Sequence, residues 1–209
     1  MTLDQLKRFV RTQVEDTDSS AYQLSDANLT AHIIEAEREA AERALLFKID
    51  RNITIVADQA DYTLDNVINL TRVKVSGETR PLVKTTKREL DFEIGAWDAQ
   101  PSSTPKFYFQ VDDRITLYPT PVASGTLLLD GYRYADYTLE TPANLHESLG
   151  YWPMYRFYST PDIDTHDPAR AQFFEDKFSK VFGKKKSQDF IREWRNGQPY
   201  SGMPPNPFN

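Results

Sequence analysis

The sequence predicts an α+β fold: a helical bundle formed by N- and C-terminal segments, with an inserted antiparallel β module and an extended C-terminal arm. Three observations predict it. Apolar residues recur at helical spacing near both ends of the chain and alternate in twos through the middle. The last stretch, Asn196 to Asn209, carries Pro199, Pro204, Pro205 and Pro207 with Gly197 and Gly202, a composition that fits neither a regular helix nor a central strand. The expected division is 1–50 with 143–195 for the helical domain, 51–142 for the β-rich module and 196–209 for the arm.

The N-terminal helix is announced by Thr2 and Gln5, which fit a capping box. Leu3, Leu6, Val10 and Val14 then form one face, which carries the helix to about Glu15. A polar loop leads to Ser25, a good N-cap, with Asp26 in the first turn where a carboxylate favours the helix dipole. Leu29, Ile33, Ala36, Ala40 and Ala44 make a stripe of small and branched residues, predicting a second helix to about Phe47. Small side chains let a neighbouring helix approach closely, and that neighbour is either in the same chain or in a symmetry mate.

After Asp50 the period changes. Ile53, Ile55 and Ala57 alternate with polar residues, Asp58 to Asp61 supplies a turn, and Leu70, Val73 and Val75 run into the turn Ser76-Gly77-Glu78. Gln59 to Asp65 reads as the entry turn of the module. Pro81 to Lys84 is expected to return as a strand, and Thr86 with Glu89 opens a short helix. Phe107, Phe109, Val111 and then Ile115, Leu117 alternate around Asp112-Asp113, the clearest hairpin of the chain. Leu127 to Tyr132 marks a last strand.

Helix resumes near Ala143, with Leu145, Leu149 and Trp152 on one face and Pro153 expected to kink the helix or begin a new one. Asp167-Pro168 starts the last strong helix. Its apolar face is Phe174, Phe178, Val181 and Phe182, Gly183 caps it, and Lys184-Lys185-Lys186 favours the negative end of its dipole. A further amphipathic piece is expected from Ser187 to Trp194.

Composition narrows the function classes. A chain of 209 residues is long enough to bury a sizeable core. It has no cysteine, which removes disulfides, iron–sulfur clusters, thiolate zinc sites and cysteine nucleophiles together. The net charge of −6 argues against gripping nucleic acid, which takes clustered Lys and Arg. No apolar run reaches the ~18 residues of a membrane span, and the start of the chain lacks a signal-peptide pattern, so neither a membrane nor export is expected. The 11 Tyr and 12 Phe suit both a core and an interaction surface.

No catalytic or metal constellation stands out, and no cofactor is expected. His32, His146 and His166 lack metal-ligand spacing, and His146 is expected at the surface. Asp162, Asp164, His166 and Asp167 form the densest polar cluster, but the glycine and distal glutamate of a calcium loop are missing. The cluster reads as an inter-helix loop ending in a cap. A metal-dependent hydrolase there has no motif behind it. A ligand- or carbohydrate-binding module using Trp97, Tyr108 and Tyr118 is the alternative reading. In the arm, Tyr200, Met203 and Phe208 stand as apolar anchors among Pro204, Pro205 and Pro207, on a stiff backbone suited to docking.

The order of elements resembles the head-to-tail adaptor (connector) proteins of short-tailed bacteriophages, a family related to the adaptor part of tail-tube gatekeeper proteins. The resemblance rests on Leu24-Ser25-Asp26 opening a helix that ends Glu42-Arg43-Ala44-Leu45-Leu46, on Gln59-Ala60-Asp61-Tyr62-Thr63-Leu64, and on Pro81-Leu82 with Thr86 and Glu89-Leu90-Asp91. Thr104 to Tyr108, Arg114 to Pro121, His146 to Tyr158 and Asp164 to Arg170 continue it, with a departure at Pro153 where an ordinary helix former would stand. It covers about residues 1 to 183. It implies a non-enzymatic virion protein, assembled in the bacterial cytoplasm, whose copies form a dodecameric ring below the portal protein. The ring joins tail nozzle or tail fibre proteins and extends the channel through which genomic DNA passes without sequence-specific binding. The resemblance further implies a portal-binding arm, here Tyr200 to Phe208, and subunit packing by the helix of Leu29 to Ala44.

Overall fold

A computed structural model describes residues 1–111, 113–161 and 165–187. In chain order its elements are α1 (Leu3–Gln13), α2 (Asp26–Ala44), β1 (Phe47–Ile55), β2 (Asp61–Thr63), β3 (Val67–Val75), β4 (Val83–Lys84) and α3 (Lys87–Glu93). Then come β5 (Phe107–Val111), β6 (Arg114–Tyr118), β7 (Gly125–Arg133), α4 (His146–Leu149), α5 (Tyr151–Ser159) and α6 (Pro168–Phe182). The fold is α+β, and the chain divides into two compact units: Met1–Phe47 with Tyr134–Lys185, and a second built on Lys48–Arg133.

In the first unit the helix ends are written in the sequence. The Thr2 hydroxyl accepts from the Gln5 N–H while the Gln5 side chain accepts from the Thr2 N–H, so the capping box closes as expected. Ser25 caps α2 and Asp167 caps α6, with Pro168 at its first position and Gly183 (φ 91°) at its end. The loop between α1 and α2 is pinned by Asp16, whose carboxylate accepts from the backbone N–H groups of Gln23 and Leu24.

α1, α2, α4, α5 and α6 share one core of Leu6, Val10, Leu29, Ile33, Leu149, Met154, Phe178 and Phe182, none more than 2% exposed. Burying each such side chain contributes about 1.5–3 kcal/mol. Tyr158 stacks on Phe174 with ring centroids 5.9 Å apart, joining α5 to α6. Arg43 ties α2 to α6, donating to Glu175 (3.2 Å) and to the Ser179 hydroxyl (2.9 Å).

Of the two outcomes expected at Pro153 the structure shows the second: it sits in the first turn of a new helix, α5, where its missing N–H leaves no helical bond unmade, and Gly150 separates α4 from α5. One expectation is corrected here: Val181 is not part of the apolar face of α6. It is 44% exposed, because the core-facing arc is set by Ala171, Phe178 and Phe182.

The second unit holds a three-stranded sheet of order β1-β7-β3 and a four-stranded sheet of order β2-β6-β5-β4. β3 and β7 pair antiparallel, with Val73 opposite Leu129 and Val75 opposite Leu127. β5 and β6 form the expected hairpin, with Phe109 opposite Thr116. Ile55, Leu64, Val73, Ile115, Leu117, Leu127 and Leu129 fill the core. Gly131 lies opposite Leu70 beside an irregularity in the β3–β7 ladder, so close to the Asn69 carbonyl that a Cβ would collide with it.

The middle of the chain differs from expectation in three places. β1 begins at Phe47, well before Ile53. Part of the Gln59–Asp65 turn is a strand: Asp61–Thr63 pairs with Arg114–Thr116 as an edge of the second sheet. The return strand near Lys84 runs parallel to β5, with Val83 opposite Phe107, so that sheet is mixed; Leu82 alone bonds back to the Val73 carbonyl (2.7 Å).

Candidate interaction surfaces

α2 has two faces with different work. Leu29, Ala36 and Ala40 are fully buried and Ile33 is 1% exposed, all inside the core of their own unit, where α2 packs on α4, α5 and α6. The close neighbour that the small side chains admit is therefore present in the same chain. Ala44, at the end of the stripe, is exposed.

The opposite face of α2 borders a groove of about 430 Å³, lined by Ala31, Ile34, Glu35, Arg38, Glu39, Glu42 and Tyr134. Its lining carries three carboxylates and one guanidinium. Arg38 lies over the Tyr134 ring at 4.8 Å and near Tyr137, which is 77% exposed. At the rim, Glu35 pairs with Arg156 (3.3 Å) and Glu39 with Lys185 (2.7 Å), both cations being about half exposed. Such open pairs are worth about 0–1 kcal/mol and exchange easily.

α6 also has an outward face, of opposite sign. Lys177 and Lys180, with Lys184 just past the helix, lie along it, and the one acidic residue among them, Asp176, is engaged by Gln172. Phe173, 53% exposed, is covered on one side by the Lys177 ammonium at 4.5 Å from its centroid. Lys184-Lys185-Lys186 is thus divided in use: Lys185 turns to α2, Lys184 to solvent.

Beneath these surfaces lies a buried polar group. The Glu37 carboxylate accepts from the Thr141 N–H at 3.0 Å and is 1% exposed; its second oxygen finds no partner among the described residues. Burial pushes its carboxyl above the ordinary range, against the lowering effect of the Thr141 bond. His146, expected at the surface, is buried instead. Its Nε2 donates to the Thr141 carbonyl (2.6 Å) and its Nδ1 accepts from the Met1 amino group (2.8 Å), partners from remote segments that no local spacing announces.

In the second unit, the aromatic trio considered for ligand binding does not form a platform. Tyr108 is 2% exposed and Tyr118 7%, and Trp97 packs edge-on against Tyr118 and Phe109. Burial holds the Tyr108 phenol up at about 12. A shallow groove of about 540 Å³ runs past Pro81, Val83, Pro105 and Phe107. Lys84, half-buried beside it, donates to the Asn69 side-chain oxygen (3.2 Å), and burial lowers its ammonium to about 8.

Asp112, Asp162, Asp164 and all the arm residues from Tyr200 to Phe208 lie outside the described residues, as does nearly all of the piece expected from Ser187 to Trp194. Asp167 is an N-cap, accepting from the Ala169 and Arg170 N–H groups. Among the described residues no group of three or more His, Asp or Glu is placed to hold a metal ion, and no helix is long and apolar enough to cross a membrane. In the first unit the surfaces that bring charge and exposed aromatics together lie along α2 and α6; in the second, Phe92 on the charged helix α3 is 90% exposed. The i, i+3, i+4 repeat of charge on both helices, Glu35-Arg38-Glu39-Glu42 and Lys177-Lys180-Lys184, was the signal for them in the sequence.

The comparisons with known proteins bear on the whole chain. A family model described as SU10 adaptor protein matches residues 1–200. No curated protein matches.

Proposed function

The chain belongs to the SU10 adaptor protein family, a family of structural adaptors and not of enzymes, and from that premise we propose that it is the head-to-tail adaptor of a short-tailed bacteriophage. In this reading copies of the chain form a dodecameric ring that joins the portal protein to the tail nozzle or fibres and extends the DNA channel. The helices make the bundle of each ring subunit, with α2 as the subunit-packing helix. The segment of Tyr200, Met203, Pro204, Pro205, Pro207 and Phe208 is an extended arm that docks on the portal, and assembly takes place in the host cytoplasm before the protein becomes part of the virion. The observation that carries the reading is the extent of the family match, which takes in both units and every described residue.

Physical features support it. An acidic net balance keeps DNA mobile beside the protein instead of bound. Opposed charged faces suit a subunit that must contact two neighbours. The ligand-binding alternative loses its basis, since two of its three aromatics are core residues.

The test is direct. Purified full-length chain mixed with the portal of the same phage should give a portal ring bearing an added collar in electron micrographs; an undecorated portal overturns the adaptor reading. Deleting 196–209 should weaken that complex, and unchanged affinity would remove the docking role of the arm alone.

A further inference from the structure

We propose that neighbouring copies of this chain dock by seating the basic outward face of α6 of one copy against the acidic groove on the outward face of α2 of the next. The inference rests on the adaptor reading and names the two surfaces that close the ring.

The two faces match in sign and in direction. Three carboxylates and one guanidinium line the α2 groove, whereas the outward arc of α6 presents Lys177, Lys180 and Lys184. Both arcs lie opposite the buried arcs of their own helices: Leu29, Ile33, Ala36 and Ala40 on α2, Ala171, Phe178 and Phe182 on α6. They point away from the core that joins the two helices, so they meet only between copies. Two different patches of one subunit meeting in this way make a heterologous contact, the type that generates rings.

The same chemistry occurs within the chain, where Lys185 reaches Glu39 at 2.7 Å at the rim of the groove. Glu35 and Arg156 pair in the open, both about two-fifths exposed, so a neighbour's lysine replaces Arg156 there at small cost; Glu39, 15% exposed and also held by Arg43 at 2.9 Å, stays with its own chain. Each face also offers apolar contact. Phe173 stands 53% exposed on α6, and Ala31 and Ile34 leave shallow relief on α2 between Arg38 and the Tyr134 ring. Aromatic and Arg anchors of this kind carry most of the energy of protein contacts, while complementary charge sets partner and register.

The chain has no cysteine, which makes a clean trap possible. Ala31→Cys and Asp176→Cys placed together in the full chain, with mild oxidation, should give a ladder of dimers, trimers and higher species on a denaturing gel. Either cysteine alone should stop at dimers. Adding Lys177→Glu and Lys180→Glu to the double-cysteine chain should lower the cross-linked fraction about tenfold. Mixing that chain with a second double-cysteine chain that carries Glu35→Lys and Glu42→Lys should restore it, because the two reversed chains complement each other in strict alternation. No ladder, a ladder untouched by charge reversal, or no rescue on mixing overturns the docking. If the ladder is missing while the full chain still decorates portal rings, the adaptor reading stands and only these two faces are wrong. Thermal unfolding of each variant checks that loss of the ladder is not loss of the fold.

Discussion

Arg11 donates to the carboxylate of Asp16 at 2.6 Å, and the two side chains are only 7% and 3% exposed. The same guanidinium donates to Asp26 at 2.7 Å and to the Leu24 carbonyl at 2.9 Å, and lies over the Tyr22 ring at 3.5 Å. One cation therefore fixes the whole loop between α1 and α2. Asp16→Ala takes away the buried one of the two carboxylates on Arg11 and leaves the Gln23 and Leu24 N–H groups without their acceptor, so it should cost about 3 kcal/mol. Urea unfolding measures it. The double change Arg11→Met with Asp16→Leu should cost less than the sum of the single changes, since neither buried charge is left without the other and the remaining Asp26 is exposed.

Glu37 should give the protein an acid-side stability slope. Its folded carboxyl is held above the ordinary value of 4.5, first by burial. The folded state thus binds its proton more tightly than the unfolded chain, and the Glu37 contribution is fully present at low pH. It declines as pH rises through the ordinary carboxylate value toward the raised one, and is flat above that. Glu37→Gln keeps an acceptor for the Thr141 N–H and brings no charge. It should raise the melting temperature at neutral pH and flatten the slope; a lower melting temperature at neutral pH would contradict burial as the dominant cause.

Lys84 predicts the opposite slope at the alkaline end. Its folded ammonium is lowered by burial to about 8 from an ordinary 10.5. Between those values the unfolded chain holds the proton that the folded chain has lost, so stability rises with pH across that window. Lys84→Met should remove the rise, read as melting temperature against pH. A slope that survives the change would assign it to another group.

Gly131→Ala should be severe. A methyl at this position meets the Asn69 carbonyl oxygen, which is backbone and cannot turn aside. Opening the β3–β7 ladder to admit it should cost more than about 3 kcal/mol or prevent folding. Gly125→Ala at the start of β7, where a Cβ meets nothing within 4 Å, should stay within about 0.5 kcal/mol. Circular dichroism melts of the pair separate local crowding from a general need for glycine.

Features with a local cause could be read from the residues. Thr2–Gln5 and Thr86–Glu89 close as capping boxes because both partners are three residues apart. Asp167-Pro168 and Gly183 bracket α6 for the same reason. What escaped depends on distant partners. The early start of β1 is masked by Lys48, Asp50 and Asn52 on its exposed side and by a helix that ends in left-handed Leu45 in place of a glycine. β2 and β4 are too short for a period and exist through their pairing with β6 and β5. His146 is buried by groups from Met1 and Thr141. On α2 the small-residue stripe was legible as a packing face, but which neighbour it meets is decided by the segments that return after Tyr134.

The core of the first unit joins residues 6 to 40 with residues 149 to 182, while Lys48–Arg133 is one unbroken run. During synthesis, at about 5–20 residues per second, α1 and α2 leave the ribosome with nothing to bury their apolar faces. The β run that follows can close first, since every strand it needs is already made. The N-terminal pair must wait for α4, α5 and α6, so its core closes only when nearly the whole described chain has been made.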